Sequence, residues 1–279
     1  MADPASTYVM GHTDQERRRL SIQAALLNPL TERFLSRAGL SAGMDVLEPG
    51  CGVGEVSLIA ARLVGPHGHV HCIDIDSAAL EIASDRVRSA GHNHVSFDHI
   101  DLSEHSPSRP YDAVIGRHIL IHTKDALGAL RLAVSVVRTG GIIAFQEYDL
   151  SFYPRGFPEL PLLFWAEELI VEFFRRGVPK ANIGMQLFHL MQEAGLPPPE
   201  CCADGVIGGG PHSLIYEWLG ETVRSLLPRM EALGITTAAE VRGETLVQRL
   251  RDEGVEKRGV VVGPLMIGAF ARKPNSDIT

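Results

Sequence analysis

The chain has 279 residues, with 34 acidic side chains against 26 basic ones for a formal charge of -8, and 45% of its residues are hydrophobic. That is enough for one large or two small domains with a proper core. The acidic balance and the scattered Lys and Arg argue against a nucleic-acid substrate, because neutralising phosphates needs a basic face. The densest basic group, Arg17 to Arg19, reads as the solvated side of a helix. No opening segment joins a basic flank to an apolar run, and no apolar stretch reaches the length of a membrane span, so a soluble protein is expected. The four cysteines, Cys51, Cys72, Cys201 and Cys202, have neither metal nor disulfide spacing, which points to a reducing, cytoplasmic setting.

In chain order, residues 14 to 38 carry a helical rhythm in Leu20, Ile22, Ala25, Leu26, Leu30, Phe34 and Leu35, interrupted near Asn28 and Pro29. Two helices are predicted there. Met44 to Ser57 then reads MDVLEPGCGVGEVS: a short apolar run ending in Glu48, the alternating Gly50, Gly52 and Gly54, and a helix start. A strand, a tight glycine turn and a helix N-terminus bring backbone amides close to a nucleotide-like ligand. A dinucleotide fingerprint wants glycine where Glu55 stands. A carboxylate at Glu48 would repel a pyrophosphate and attract a cationic ligand.

A crossover helix is predicted over 56–63. A second strand, Val70 to Ile73, ends in Asp74, about twenty residues beyond the glycines and so placed to accept from both ribose hydroxyls of a nucleoside. Asp76 reads as the cap of a helix over 78–90. Val95 to Phe97 is the third strand, followed by Asp101 and Leu102. Tyr111 to Ile115 is the fourth, with Gly116, Arg117 and His118 at its carboxyl end, where open parallel sheets bind ligands. His118 or His122 is placed to remove a proton near neutral pH, with packing or a backbone hydrogen bond as the alternative for each. A helix over 125–137 and the turn Thr139, Gly140, Gly141 lead to a fifth strand, Ile142 to Gln146. Glu147 follows as the candidate carboxylate for holding or deprotonating an acceptor, unless it merely pairs with Arg117.

Several of these motifs, taken together, resemble those of the class I S-adenosylmethionine-dependent methyltransferases. VLEPGCGVGE looks like their first motif and HVHCIDID like their second strand, while SFDHIDL and YDAVIGRHILIH look like the third and fourth. The resemblance is strong over residues 40 to 150, and motifs in the right order are more specific than any one of them. It implies an α/β, Rossmann-like doubly wound sheet of seven strands with the last antiparallel, N-terminal helices and a helical cap. It also implies S-adenosylmethionine held by Tyr8, Gln23, Glu48, Gly50, Gly52, Gly54, Asp74, Ile75, Asp101, Leu102 and Arg117. In that pattern Asp101 accepts from the adenine amine and Leu102 meets the ring. The expected division is 1–40 over the cofactor, 41–150 as the cofactor-binding core, and 151–279 as substrate-cap helices with the remaining strands.

Past residue 150, Pro158 to Arg176 holds more large apolar residues than one buried stripe needs, including Phe164, Trp165, Phe173 and Phe174. Further helices are expected over 187–194 and 212–251, a sixth strand over 200–206 and the last strand within 260–271. The helices between those strands suit a substrate lid near Tyr216, Trp218 and Met230. The expected acceptor is therefore a small hydrophobic or aromatic molecule, with oxygen slightly favoured as the methylated atom. Nitrogen or carbon transfer, a non-methylating cyclisation and, more distantly, nicotinamide-dependent oxidoreduction are the alternatives. The alternating His67, His69 and His71, with His92, His94 and His99, invite a metal. They gather opposite the predicted active face and lack a ligand motif, so no metal is expected. Monomer and homodimer both fit.

Overall fold

The computed structural model describes residues 14–150, 156–177 and 181–275. Tyr8 lies outside them. The elements in order are α1 (Asp14–Ala38), β1 (Asp45–Pro49), α2 (Glu55–Val64), β2 (His69–Asp74), α3 (Ser77–Ser89), β3 (Val95–His99), β4 (Tyr111–Arg117), α4 (Ala126–Val136) and β5 (Val137–Asp149). There follow α5 (Pro161–Gly177), α6 (Ile183–Glu193), β6 (Glu200–Asp204), β7 (Ile207–Gly209), α7 (Ile215–Ala232), α8 (Ala238–Val241), α9 (Gly243–Glu256), β8 (Val260–Val262) and β9 (Leu265–Arg272).

Seven strands form one sheet in the order β3-β2-β1-β4-β5-β9-β6, and β7 and β8 pair separately. β1 to β5 run parallel where they pair, and β9 is antiparallel to β6. Since β1 lies between β2 and β4, the strand order reverses there, and the carboxyl ends of these strands border the crevice where such sheets take ligands. Burial explains the parallel core: Val46, Val70, Cys72, Ala113, Ile115, Ile142 and Ala144 are covered by Ile59, Ala60 and Val64 of α2 and by Phe34 and Leu35 of α1.

The described residues divide into two compact units. One takes described residues from 28–148, 183–204 and 266–279, and holds the seven-stranded sheet; the other takes those from 1–27, 149–182 and 205–265. The second unit has a core of its own, in which α7 packs on α5 and α9. Tyr216, Trp218 and Met230, expected beside an acceptor, are buried in that packing.

Two local expectations are corrected. α1 is one helix, with Pro29 inside it. Proline there removes one backbone hydrogen bond, but its ring is exposed while Leu27, Leu30, Thr31 and Phe34 on either side are buried, so packing carries the helix through. Arg19, expected on the solvated side, is buried and donates to Gln23 one helical turn on. Residues 19, 23 and 27 share a face, so burial of Leu27 carries Arg19 inward with it. Asp76 does cap α3, accepting from the amides of Ala78 and Ala79.

Candidate active site

The glycine turn after β1 is built from left-handed backbone: Gly50, Gly52 and Gly54 have φ of 64°, 52° and 81°. A Cβ at Gly50 would stand 2.5 Å from Ile119 Cδ1, whereas one at Gly52 would meet nothing within 4 Å. The turn is therefore closed against the β4 end at Gly50 and open above Gly52. Gly50→Ala is expected to lower stability by about 1–2 kcal/mol through its left-handed backbone alone, and to displace Ile119 as well. Urea denaturation measures the first effect, and an unchanged midpoint would contradict it.

Asp74, at the end of β2, meets this turn directly. One carboxylate oxygen accepts from the Gly52 amide at 2.8 Å and the other from the Asp76 amide at 2.9 Å. Glu48 behaves differently. Its side chain turns inward, accepting from the Ser57 hydroxyl at 2.6 Å with the Cys72 thiol nearby, and burial pushes its pKa up to about 7. Its charge at neutral pH is thus partial and lies behind the turn, which weakens the electrostatic argument made from sequence.

Arg117, at the end of β4, donates to Asn28 Oδ1 at 3.0 Å and to Thr31 Oγ1 at 2.9 Å on α1. Asn28 in turn donates to Glu55, which Arg86 also engages, and Thr31 donates to Gln146. A chain of polar contacts thereby ties α1, the start of α2 and the ends of β4 and β5. The far end of that chain is the Gln146 side-chain amide nitrogen, a buried donor without a protein partner.

His118 follows Arg117 with φ at 56°, a conformation that non-glycine residues avoid and that concentrates at functional sites. Three consecutive residues of β5 hold it. Gln146 O accepts from its amide, Glu147 Oε1 accepts from the next two amides, Ile119 at 2.9 Å and Leu120 at 2.7 Å, and Tyr148 stacks on its ring with centroids 4.1 Å apart. On β9, Met266 Sδ stands 3.0 Å from His118 Nε2. Nothing in the sequence joins Met266 to His118; only the insertion of β9 beside β5 does.

Glu147 pairs with backbone rather than with Arg117. It is fully buried, its second oxygen has no partner, and desolvation pushes its pKa up to about 8 against the amides that lower it. A carboxyl whose folded pKa is raised stabilises most below its unfolded pKa, and this contribution is lost as pH rises towards the folded one. Glu48 and Glu147 together should make stability fall between about pH 5 and 8. Glu147→Gln, which keeps an acceptor for both amides, is expected to flatten that fall in urea midpoints; an unaltered slope would remove Glu147 as its source.

Of the other expected residues, Asp101 and Leu102 follow Ile100, whose amide donates to the Asp74 carbonyl, and so lie beside Ile75 at the end of β2. His122 is exposed, with its amide on Ile119 O. Ile75 is exposed beyond β2, and Asp101 caps its own turn by accepting from Ser103. Leu102 is half-buried. Gln23 falls in the second unit, its carbonyl taken by Arg19 and the Trp218 indole. His71 of β2 bridges Tyr111 and Asp98, and His105, outside that strand, also meets Tyr111.

Residues 40–176 match a family described as a methyltransferase domain. These residues form a domain of the class I S-adenosylmethionine-dependent methyltransferase type. Aklanonic acid methyltransferase DauC of a Streptomyces species is 33% identical over 144 residues, covering 51% of this chain and 64% of that protein. Methyltransferase GfsG of Streptomyces halstedii is 36% identical over 121 residues, covering 42% of each. The chain thus spans between two fifths and just under two thirds of these relatives. Haemonchus contortus phosphoethanolamine N-methyltransferase 2 shares the fold, with a TM-score of 0.57 at 16% identity over 98% of this chain and 62% of that one. So does the [4+2]-cyclase SpnF, at 0.53 and 20% identity over 88% and 81%. Membership of this family removes the nicotinamide alternative.

The methyltransferase site suits the family's cofactor on its own geometry. The space above Gly52 lets a ligand reach the turn, and Asp74 at its edge offers acceptors for ribose hydroxyls. The unpartnered Gln146 amide beside the Thr31–Arg117 pair supplies surplus donors, which fit a carboxylate. Among the described residues no helix is long and apolar enough to cross a membrane.

Proposed function

We propose that this protein transfers a methyl group from S-adenosylmethionine to a hydroxyl of a small apolar or aromatic acceptor. The observation that supports it is His118, an imidazole held in left-handed backbone at the ligand end of β4 by the Gln146 carbonyl, the Glu147 carboxyl and the Tyr148 ring. The bound cofactor supplies a methyl group on a sulfonium, whose sulfur keeps the bonding electrons as the methyl leaves. The protein's work is then alignment and proton removal. His118 takes the hydroxyl proton while the oxygen's electron pair forms the new bond to carbon. Asp74, the glycine turn and Arg117 hold the cofactor; Asp101, Leu102 and Ile75 are assigned to its adenine side, and Tyr8, Gln23 and Glu48 to supporting contacts. His122 is the second candidate base and Glu147 the candidate carboxylate.

The apolar richness of α5 and α7 supports an apolar acceptor. Two curated relatives come from Streptomyces, one of them named for aklanonic acid, which favours a secondary metabolite. The four free thiols support a cytoplasmic setting, as monomer or homodimer. The deciding experiment supplies isotopically labelled methyl donor with pooled metabolites and locates the label. A methyl ether or ester is expected. Label on nitrogen or carbon would overturn oxygen transfer, and conversion without S-adenosylhomocysteine would establish the non-methylating alternative.

A further inference from the structure

We propose that a chain of hydrogen bonds, His105–Tyr111–His71–Asp98, anchors the turn carrying Asp101 and Leu102, and that protonating its histidines loosens that turn and weakens cofactor binding. That the turn meets the adenine of the cofactor rests on the function proposed above; the chain does not. Residues 100–110 connect β3 to β4 without a helix, and the sheet order places β2 and β1 between those strands. Val70 and Cys72 are covered by α2, so alternation turns His71 to the opposite face of β2. There the contacts close. His71 Nδ1 stands 2.6 Å from the Tyr111 hydroxyl and its Nε2 2.8 Å from Asp98 Oδ2, while His105 Nε2 lies 3.0 Å from the same hydroxyl. His105 is tied to the turn, because its amide donates to the Leu102 carbonyl and the Glu104 amide to that of Asp101.

With both rings neutral, these four groups allow one arrangement of hydrogens. A carboxylate only accepts, so His71 Nε2 carries that ring's hydrogen and Nδ1 is left as an acceptor. The Tyr111 hydrogen goes to Nδ1, and the phenol oxygen accepts from His105 Nε2–H. A proton arriving at His71 Nδ1 sets N–H against O–H, and the chain survives only by running backwards, with the His105 hydrogen moved to its other nitrogen. A second proton ends this: two imidazolium rings, with centroids 5.1 Å apart, then both donate towards one phenol. The groups around the chain are His69, whose ring is 6.4 Å from that of His71, His94 beyond it, and the Asp45–Arg109 and Asp112–Arg138 ion pairs. Burial holds His105 and His69 below the usual histidine pKa, and the His71 ring adds to this in both. The anchored turn thus favours neutral His105, a contribution complete above about pH 6.5 that shrinks as pH falls below it. His105, Tyr111 and His71 are positioning residues, acting through the turn.

The test is titration calorimetry of the full chain with S-adenosylmethionine at about pH 8 and about pH 5.5, on either side of the histidine range. His105→Gln keeps an N–H donor for Tyr111 and takes up no proton. Wild type is expected to lose about tenfold more affinity over that range than this variant does. The comparison cancels Glu48, which titrates behind the glycine turn in both proteins. Equal losses overturn the proposal. Tyr111→Phe removes the hydroxyl between the two rings and is expected to bind several-fold more weakly already at the higher pH; unchanged affinity there overturns it too. Long-range proton–nitrogen NMR of histidine-labelled protein reads the chain without cofactor. A hydrogen on Nδ1 of neutral His71 in the wild type overturns the proposal, even if no variant folds. Asp101→Asn tests the adenine assignment separately: unchanged affinity at the higher pH would remove Asp101 from the cofactor and leave the histidine comparison standing.

Discussion

Asp74→Ala is expected to weaken S-adenosylmethionine binding by about 2–3 kcal/mol, roughly 100-fold, because charge-assisted hydrogen bonds to ribose hydroxyls would be lost. The carboxylate has a second task. It accepts from the amides of Gly52 and Asp76, so its removal also leaves the glycine turn less firmly held against the end of β2. Asp74→Asn separates the two, since its amide retains one acceptor for the turn but loses the charge. Titration calorimetry with S-adenosylmethionine reads both variants. The asparagine variant is expected between wild type and alanine, and unchanged affinity in alanine would remove Asp74 from the cofactor site.

His118 should show the complementary pattern. Substitution by alanine is expected to slow single-turnover methyl transfer about 10²- to 10⁴-fold, the usual contribution of a positioned base, with cofactor affinity near that of wild type. Alanine is also strained at a φ of 56°. His118→Asn is the cleaner variant, because asparagine tolerates left-handed backbone. A loss of rate shared by both belongs to the imidazole, and a loss confined to alanine belongs to the backbone. Rates equal to wild type in both would return the proton to His122 or to solvent. Glu147 complicates the reading in a useful way. Its carboxyl holds the amides immediately after His118, so Glu147→Gln should preserve the turn, and a rate loss there would give the carboxyl itself a part in the chemistry.

Much of the glycine turn and of the strand ends around it was legible because its signals are local. Three glycines at alternate positions require backbone that other residues resist, and each was found at positive φ. The acid at the end of the second strand, the cap at Asp76 and the end of the fourth strand were each fixed by residues within one element or one turn. Glu48 shows where such reasoning fails. Its place in the chain was correct, but whether its carboxyl faced ligand or core depended on Ser57 and Cys72, which only the packing of α2 on β2 brought to it. Pro29 failed for a related reason: the local penalty was real, and burial on both sides outweighed it.

The sequence by itself determined a strand–glycine turn–helix, an acid at the end of the next strand, the parallel sheet and the family. It did so because glycine conformation, strand alternation and capping are decided by neighbours in the chain. Tertiary structure alone decided the surroundings of His118 and Arg117. Met266 lies 148 residues from the histidine it touches, and Thr31 lies 86 from the arginine it accepts from. Side chains so far apart meet only once the order of the strands is set, and short-range patterns carry no record of that order.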